Sequence, residues 1–182
     1  MVSRILIKLV DEAVLPAILL IFVRISSVLL ISKYLDVNYV VGSFGFKFDN
    51  PQDYVMVNSY STFTIVAILA VGLLYILLKS WFFHDTHISP SLTAKTHAYG
   101  LSYFIQTSFD LYSQGTIWLS YTYLLFFASG ILAFFGLLYF WVFLVTLVLT
   151  TATTILFVFD VEKEMAIAKE KPEILSYGDA DD

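Results

Sequence analysis

The sequence of 182 residues contains no cysteine. Disulfides, thiolate metal sites and cysteine nucleophiles are therefore excluded, and the redox compartment of the protein stays undetermined. Walker A, GxSxG and GxGxxG motifs are also missing, as is any internal repeat. From these absences we predict a protein that is not an enzyme and that carries no cofactor.

Charged residues are scarce and unevenly placed. They make up 14% of the chain, against about a quarter in a soluble domain, whereas 59% of the residues are hydrophobic. From residue 160 onward, eight acids and three lysines account for the whole net charge of −5. We therefore predict an acidic cytoplasmic tail over residues 161–182, helical at first and then disordered, and no nucleic-acid partner.

Long apolar runs make up most of the remaining chain, and runs of about 18 or more residues are typical of membrane spans. Two runs cover residues 13–35 and 59–83. Residues 116–159 contain no charge and, at ~1.5 Å per residue, exceed a hydrocarbon core of ~30 Å. We expect this stretch to turn near Gly136, which gives spans 116–135 and 137–159. The predicted fold is an all-α integral membrane domain over residues 1–160 with four transmembrane helices.

Lysine and arginine outside the spans predict the orientation, because they favour the cytoplasmic side. Four spans place both termini on one side, which then holds seven of these residues, whereas the opposite side holds two. The seven are Arg4, Lys8, Lys79, Lys95, Lys163, Lys169 and Lys171, and the two are Lys33 and Lys47. We predict a multi-pass membrane protein with both termini in the cytoplasm.

Both longer loops show structural patterns. In the outer loop, Val, Tyr and Phe flank Gly42-Ser43, which predicts a small β-hairpin, with an irregular loop as the alternative. In the inner loop, apolar residues recur at helical spacing from Pro90 to Gly115. We predict an amphipathic interfacial helix there, between spans two and three. Besides the lipid bilayer, protein partners or a second copy of the chain could bind this helix and the acidic tail.

Arg24 places a permanent charge in the middle of the first apolar run. Near the centre of a span such a charge costs at least ~2.5–3.5 kcal/mol, so the side chain needs partners. Spans two to four contain no acid, but hydroxyl groups lie at the same depth when residues are counted from the span ends. We predict an intramembrane polar site formed by Arg24, Ser27, Thr146, Thr150 and Thr154.

Two interpretations of this site stay open. A buried cation can bind an anionic substrate or a lipid headgroup, or control a pathway through the membrane. Alternatively, the arginine and the threonines, which recur at i, i+4 and i+8, serve helix packing.

The three histidines lie near one another in the inner loop. His84, His87 and His97, with Asp85, form a candidate metal site, because imidazole and carboxylate groups are common zinc ligands. The alternative is a set of ordinary polar residues at the membrane surface, since no fixed ligand spacing joins His97 to the other two.

Three functions are compatible with these patterns. The first is a non-enzymatic membrane subunit, scaffold or assembly factor that presents the amphipathic helix and the tail to partners. The second is a small transporter or channel subunit with a polar site around Arg24 for an anion or a lipid headgroup. The third is a membrane enzyme that uses the histidine cluster as a metal site. A water-accessible cavity at Arg24 would favour the second.

Overall fold

The computed structural model describes residues 10–42, 45–83, 90–101, 105 and 107–178. Within them, four helices are long and apolar enough to cross a membrane, which confirms the predicted number of candidate spans. A π-helical turn, Val10–Val14, leads directly into the first of them. The elements that follow are α1 (Leu15–Tyr34), β1 (Tyr39–Gly42), β2 (Gly45–Phe48), α2 (Pro51–Phe83), α3 (Pro90–Ala98), α4 (Ser108–Phe134) and α5 (Phe140–Gly178).

The second helix, α2, is the centre of the bundle. It packs against α1, α4 and α5, and α4 and α5 form an antiparallel pair. Small residues allow close approach: the Trp118 indole of α4 lies directly over Gly72 of α2, and the Phe157 ring of α5 lies over Gly115 of α4. A buried apolar cluster of Leu73, Ile76, Leu77, Leu111 and Phe157 surrounds these contacts.

Three helices end in the same backbone motif. A residue with positive φ follows each of α1, α3 and α4, namely Asp36 (53°), Gly100 (67°) and Gly136 (69°). The next residue in each case donates its N–H to a carbonyl five positions earlier, and the positive-φ residue donates to one three positions earlier. These are Schellman motifs, which satisfy the last carbonyls of a helix. Gly136 therefore forms the turn that the sequence predicts.

The small β-hairpin in the loop between α1 and α2 is confirmed. Its strands are antiparallel, with Tyr39 opposite Phe48 and Gly42 opposite Gly45. Phe46 and Phe48 are half-buried, while the alternating residues are exposed. The rings of Tyr39, Phe46, Phe48 and Tyr54 contact one another, at centroid distances of 5.6 to 6.3 Å, and connect the strands to α2. This end of the bundle is the hairpin end.

Helices α2, α4 and α5 all extend beyond the predicted span bounds. Helix α2 begins eight residues earlier than expected, at Pro51, because the Asn50 side chain accepts the N–H of Gln52 and caps the first turn. Helix α5 continues without a break to Gly178, and so passes through Pro172.

The single amphipathic helix predicted from Pro90 to Gly115 is wrong in its extent. A nine-residue helix, α3, ends at Ala98, and α4 begins at Ser108 with Thr107 accepting the N–H of Asp110 as its N-cap. The Schellman turn at Gly100 and the cap at Thr107 end one helix and start the next, although the apolar spacing continues across both. Gly115 lies inside α4, where it makes room for an aromatic ring rather than ending a helix.

Candidate functional site

Arg24 extends from α1 to a set of polar atoms on α2. Its Nη1 donates to the Asn58 carbonyl oxygen at 3.2 Å, to Thr62 Oγ1 at 3.0 Å and to Ser61 Oγ. Its Nη2 donates to Asn58 Oδ1. The residues at positions 58, 61 and 62 share one face of a helix, because side chains three and four positions apart are neighbours. Helix α2 therefore supplies one compact acceptor surface for the guanidinium.

The acceptors on α2 are held in place by their own helix and by the turn between α4 and α5, residues 135–139. Ser61 Oγ donates to the Val57 carbonyl and Thr62 Oγ1 to the Asn58 carbonyl, each at 2.7 Å. Asn58 Nδ2 donates to the Leu137 carbonyl at 2.6 Å. One amide side chain thus joins the guanidinium to the α4–α5 turn, and Arg24 lies near the hairpin end rather than at the middle of the bundle.

A cavity of about 230 Å³ lies beside the guanidinium. The cavity, which we call the Arg24 pocket, is lined by Arg24, Ile25, Val28, Phe46, Phe48, Tyr54, Val57 and Asn58. Helices α1 and α2 form its walls, and the two phenylalanines of β2 cover it from the hairpin. It combines one cation, one amide and one phenol with apolar and aromatic walls, as small-ligand sites commonly do.

The charge of Arg24 is not neutralised within the part of the chain that the structure describes. All four bonds go to uncharged oxygens, and no carboxylate there pairs with the guanidinium. The Nε–H group has no acceptor among these residues, so the planar fork of donors is only partly used. An anion that entered the Arg24 pocket would meet a half-buried, positively charged donor with N–H groups to spare.

The structure does not bring the other predicted polar residues to Arg24. Thr146, Thr150 and Thr154 donate to the carbonyls of residues 142, 146 and 150 in their own helix, at 2.7 to 2.8 Å. Ser27 is buried on α1 and does not line the pocket. The hydroxyl groups that accept from Arg24 belong to Ser61 and Thr62 of α2, and not to the threonines of α5.

The residues that sequence reasoning missed are Asn58, Ser61 and Thr62. Their signal is present: three polar side chains at i, i+3 and i+4, within the polar segment 58–64 at the start of the second apolar run. It marks one polar helix face at the hairpin end of span two, which is the kind of face that a charged neighbour requires.

The predicted metal site cannot be assembled from the described part of the chain. His84, Asp85 and His87 lie outside the described residues, and His97 is exposed in the last turn of α3. Among the described residues, no group of three or more His, Cys, Asp or Glu side chains is placed to hold a metal ion. A metal site at these histidines therefore stays a prediction.

A second buried polar group lies at the opposite end of the bundle. Asp160 of α5 is 5% exposed, and its Oδ2 accepts from Ser80 of α2 and, at 3.2 Å, from Tyr112 of α4. Three helices thus meet at one carboxylate. Nearby, Ser113 donates to Glu12 at 2.9 Å and Tyr121 to the Ala13 carbonyl at 2.7 Å, which attaches the π-helical turn before α1 to α4.

Comparison with known proteins gives no relative from which a function could be transferred. No family model matches the chain, and neither curated proteins nor solved structures show significant similarity to it.

Proposed function

We propose that this chain is a multi-pass membrane protein, with both termini in the cytoplasm, that binds an anionic group in the Arg24 pocket. The function belongs to the class of small transporter or channel subunits with a polar site, and it is binding rather than catalysis. The pocket lining supplies a cation, an amide and a phenol, but no carboxylate, imidazole or thiol that would act as a base or nucleophile.

Membrane insertion is supported by the surface of the four long helices. Large apolar side chains are exposed along all of them, including Phe22 (66%), Leu124 (67%) and Val148 (66%). A soluble monomer rarely exposes contiguous apolar patches larger than a few hundred Å². In a bilayer the same side chains contact lipid, and the buried Ser and Thr residues between the helices are the small polar residues typical of membrane helix packing.

The observation that carries the binding function is the cavity beside an arginine whose charge has no described counter-ion. An intramembrane arginine is costly, and its partners are normally a carboxylate, backbone carbonyls, water or a ligand. Here uncharged atoms hold the guanidinium in position beside the pocket, and none of the described residues accepts from its Nε–H group. Because these oxygens position the guanidinium without compensating its charge, an anion is the ligand that the pocket suits.

The test is an anion-binding measurement on the purified protein in a mild detergent. We expect saturable, Arg24-dependent binding of inorganic phosphate or of phosphatidylglycerol, weakened about tenfold or more in Arg24→Gln, since each charge-assisted hydrogen bond contributes ~1.5–3 kcal/mol. Lys33→Gln is the matched control, because it removes an exposed cation from the last turn of the same helix. If Arg24→Gln binds both probes as wild type does, the proposal is wrong.

A second candidate function follows from the length of α5. Its 39 residues extend for ~58 Å, well beyond a hydrocarbon core of ~30 Å. The part beyond Asp160 carries Glu162, Glu164, Glu170 and Glu173, and such a charged helical extension suits a protein partner. Charge reversal of these glutamates should abolish a native complex in mild detergent, and an unchanged complex would argue against this function.

A further inference from the structure

The wall of the Arg24 pocket continues into an exposed apolar stripe on α1. Ile25 lines the pocket and is 47% exposed. The stripe also contains Ile18, Phe22 and Leu29. Successive members of the set 18, 22, 25 and 29 are three or four positions apart, so all four side chains share one helix face. Each of them is exposed, and together they are the α1 stripe. The stripe runs from the rim of the pocket along the bundle.

The α1 stripe has no protein neighbour among the described residues that would cover it. Helix α1 packs mainly against α2, on the side that carries Arg24, Ser27 and Val28. The stripe lies on the flank next to that side. An apolar surface therefore adjoins a cationic pocket, and the side chain of Ile25 belongs to both.

The Arg24 pocket also lies at a depth that a lipid headgroup can reach. Asn58 binds both the guanidinium and the α4–α5 turn, and the exposed Phe134 and Phe135 lie where α4 passes into that turn. From Asp110 to Phe134, 25 residues span ~37 Å, enough to cross a ~30 Å core from one interface to the other. The turn thus lies at the outer interface of the proposed membrane, and the guanidinium lies just below it.

We infer that the ligand of the Arg24 pocket is an anionic phospholipid of the outer leaflet, whose phosphate binds the guanidinium and whose acyl chain lies along the α1 stripe from Ile25 toward Ile18. This inference rests on the proposed function and names its ligand class. A cavity of about 230 Å³ can hold a phosphate group but not a whole lipid. The acyl chains therefore have to lie outside the cavity, and the exposed rim at Ile25 opens onto the α1 stripe. The aromatic side chains of β2 cover the headgroup from above.

The first arm of the test compares ligands that carry acyl chains with a ligand that carries none. Purified wild-type protein, Arg24→Gln, Arg24→Lys and Lys33→Gln are examined by native mass spectrometry with phosphatidylglycerol, phosphatidylcholine and glycerol phosphate. We expect wild type and Lys33→Gln to retain phosphatidylglycerol over phosphatidylcholine, and Arg24→Gln to lose that preference about tenfold or more. Arg24→Lys should be intermediate, because lysine keeps the charge but not the planar fork.

The same arm separates the inference from the proposed function. If glycerol phosphate displaces phosphatidylglycerol with equal affinity in an Arg24-dependent way, the ligand is a free anion. The lipid inference then fails while anion binding stands. If Arg24→Gln changes the retention of no probe, both fail.

The second arm of the test locates the acyl chain of the bound lipid. Phosphatidylglycerol with a photoreactive diazirine in its acyl chain is bound, irradiated and mapped by peptide mass spectrometry. We expect labelling centred on Ile18 and Phe22, which lie deeper than Arg24 in the proposed membrane, and we expect Arg24→Gln to lose this labelling. Labelling of Leu19, which is exposed on the other flank of α1, should be weak. Even labelling around α1 that does not depend on Arg24 would indicate bulk lipid only and would overturn the inference.

Discussion

Replacing Arg24 with methionine, which is similar in length and uncharged, separates a binding role from a packing role. Methionine removes all four hydrogen bonds to α2. No donor on α2 is left unpaired, because the Ser61 and Thr62 hydroxyls still donate to carbonyls of α2 and Asn58 Nδ2 still donates to Leu137. The variant should therefore fold, insert and keep the α4–α5 turn in place.

Two opposing contributions set the change in the free energy of unfolding of Arg24→Met: the lost hydrogen bonds and the removed charge. Interhelical hydrogen bonds in membrane proteins average ~0.6 kcal/mol, so the four bonds contribute about 2.4 kcal/mol. Removing the charge recovers an insertion cost of about 2.5–3.5 kcal/mol, the value that insertion scales give for an arginine at the centre of a span. The terms nearly cancel, and we expect the free energy of unfolding of Arg24→Met to lie within about 2 kcal/mol of wild type.

Reversible unfolding in mixed detergent micelles, followed by circular dichroism, measures this difference, with Lys33→Met as the matched control. The same preparation is assayed for retention of phosphatidylglycerol, which Arg24→Met should lose. A loss of stability clearly above ~3 kcal/mol exceeds the sum of the four bonds. With unchanged lipid retention it would show that the arginine holds the helices together and is not a ligand site.

Three further predictions concern the bundle. Gly72→Ala places a Cβ 2.1 Å from the Trp118 ring and should cost about 1–3 kcal/mol; an unchanged melting temperature would contradict this packing. Asp160→Leu removes the acceptor of the buried Ser80 hydroxyl and of the half-buried Tyr112 hydroxyl and should cost ~1–3 kcal/mol. Asp160→Asn, which keeps an acceptor oxygen, should cost less in the same thermal unfolding assay. Because native cysteine is absent, single Lys47→Cys and Met165→Cys variants should react with an impermeant maleimide from opposite faces of intact vesicles, and reaction from one face would refute the topology.

Much of the fold follows from composition and local signals. Long apolar runs indicate helices regardless of what surrounds them, and Gly136 is the residue that allows the chain to reverse between two such runs. The hairpin is visible because strand-forming residues flank Gly42-Ser43. These features are local in the sequence, so one chain suffices to predict them.

The partners of Arg24 could not be predicted in the same way. Counting depth from the span ends assumes that all helices end at the same level in the membrane. Helix α2 breaks this assumption, because Asn50 caps its first turn while the α4–α5 turn contacts Asn58, eight residues further along. The start of α2 therefore extends more than two helical turns beyond the α4–α5 turn. Helix rotation adds to the error, because packing rather than apolar content decides which face meets α1. Threonines at the counted depth therefore bind their own helix, while a polar face on α2 receives the arginine.

The break between α3 and α4 has a related cause. Apolar residues continue at helical spacing across it, and the period alone predicts one helix. The Schellman turn at Gly100 and the N-cap at Thr107 are decided by backbone conformation and capping bonds over a few residues. Such local signals outweigh a weak amphipathic pattern.

The most direct test of the account is a distance measurement between the Arg24 guanidinium and a lipid phosphate. The chain has two arginines, so an Arg4→Lys variant labelled with ¹⁵N-arginine carries the label at Arg24 alone. Solid-state dephasing of the guanidinium ¹⁵N signal by ³¹P is then recorded in bilayers that contain phosphatidylglycerol. We expect dephasing at direct-contact distance, removed when phosphatidylcholine replaces the anionic lipid. A guanidinium signal that shows no phosphorus contact in either bilayer would contradict the account.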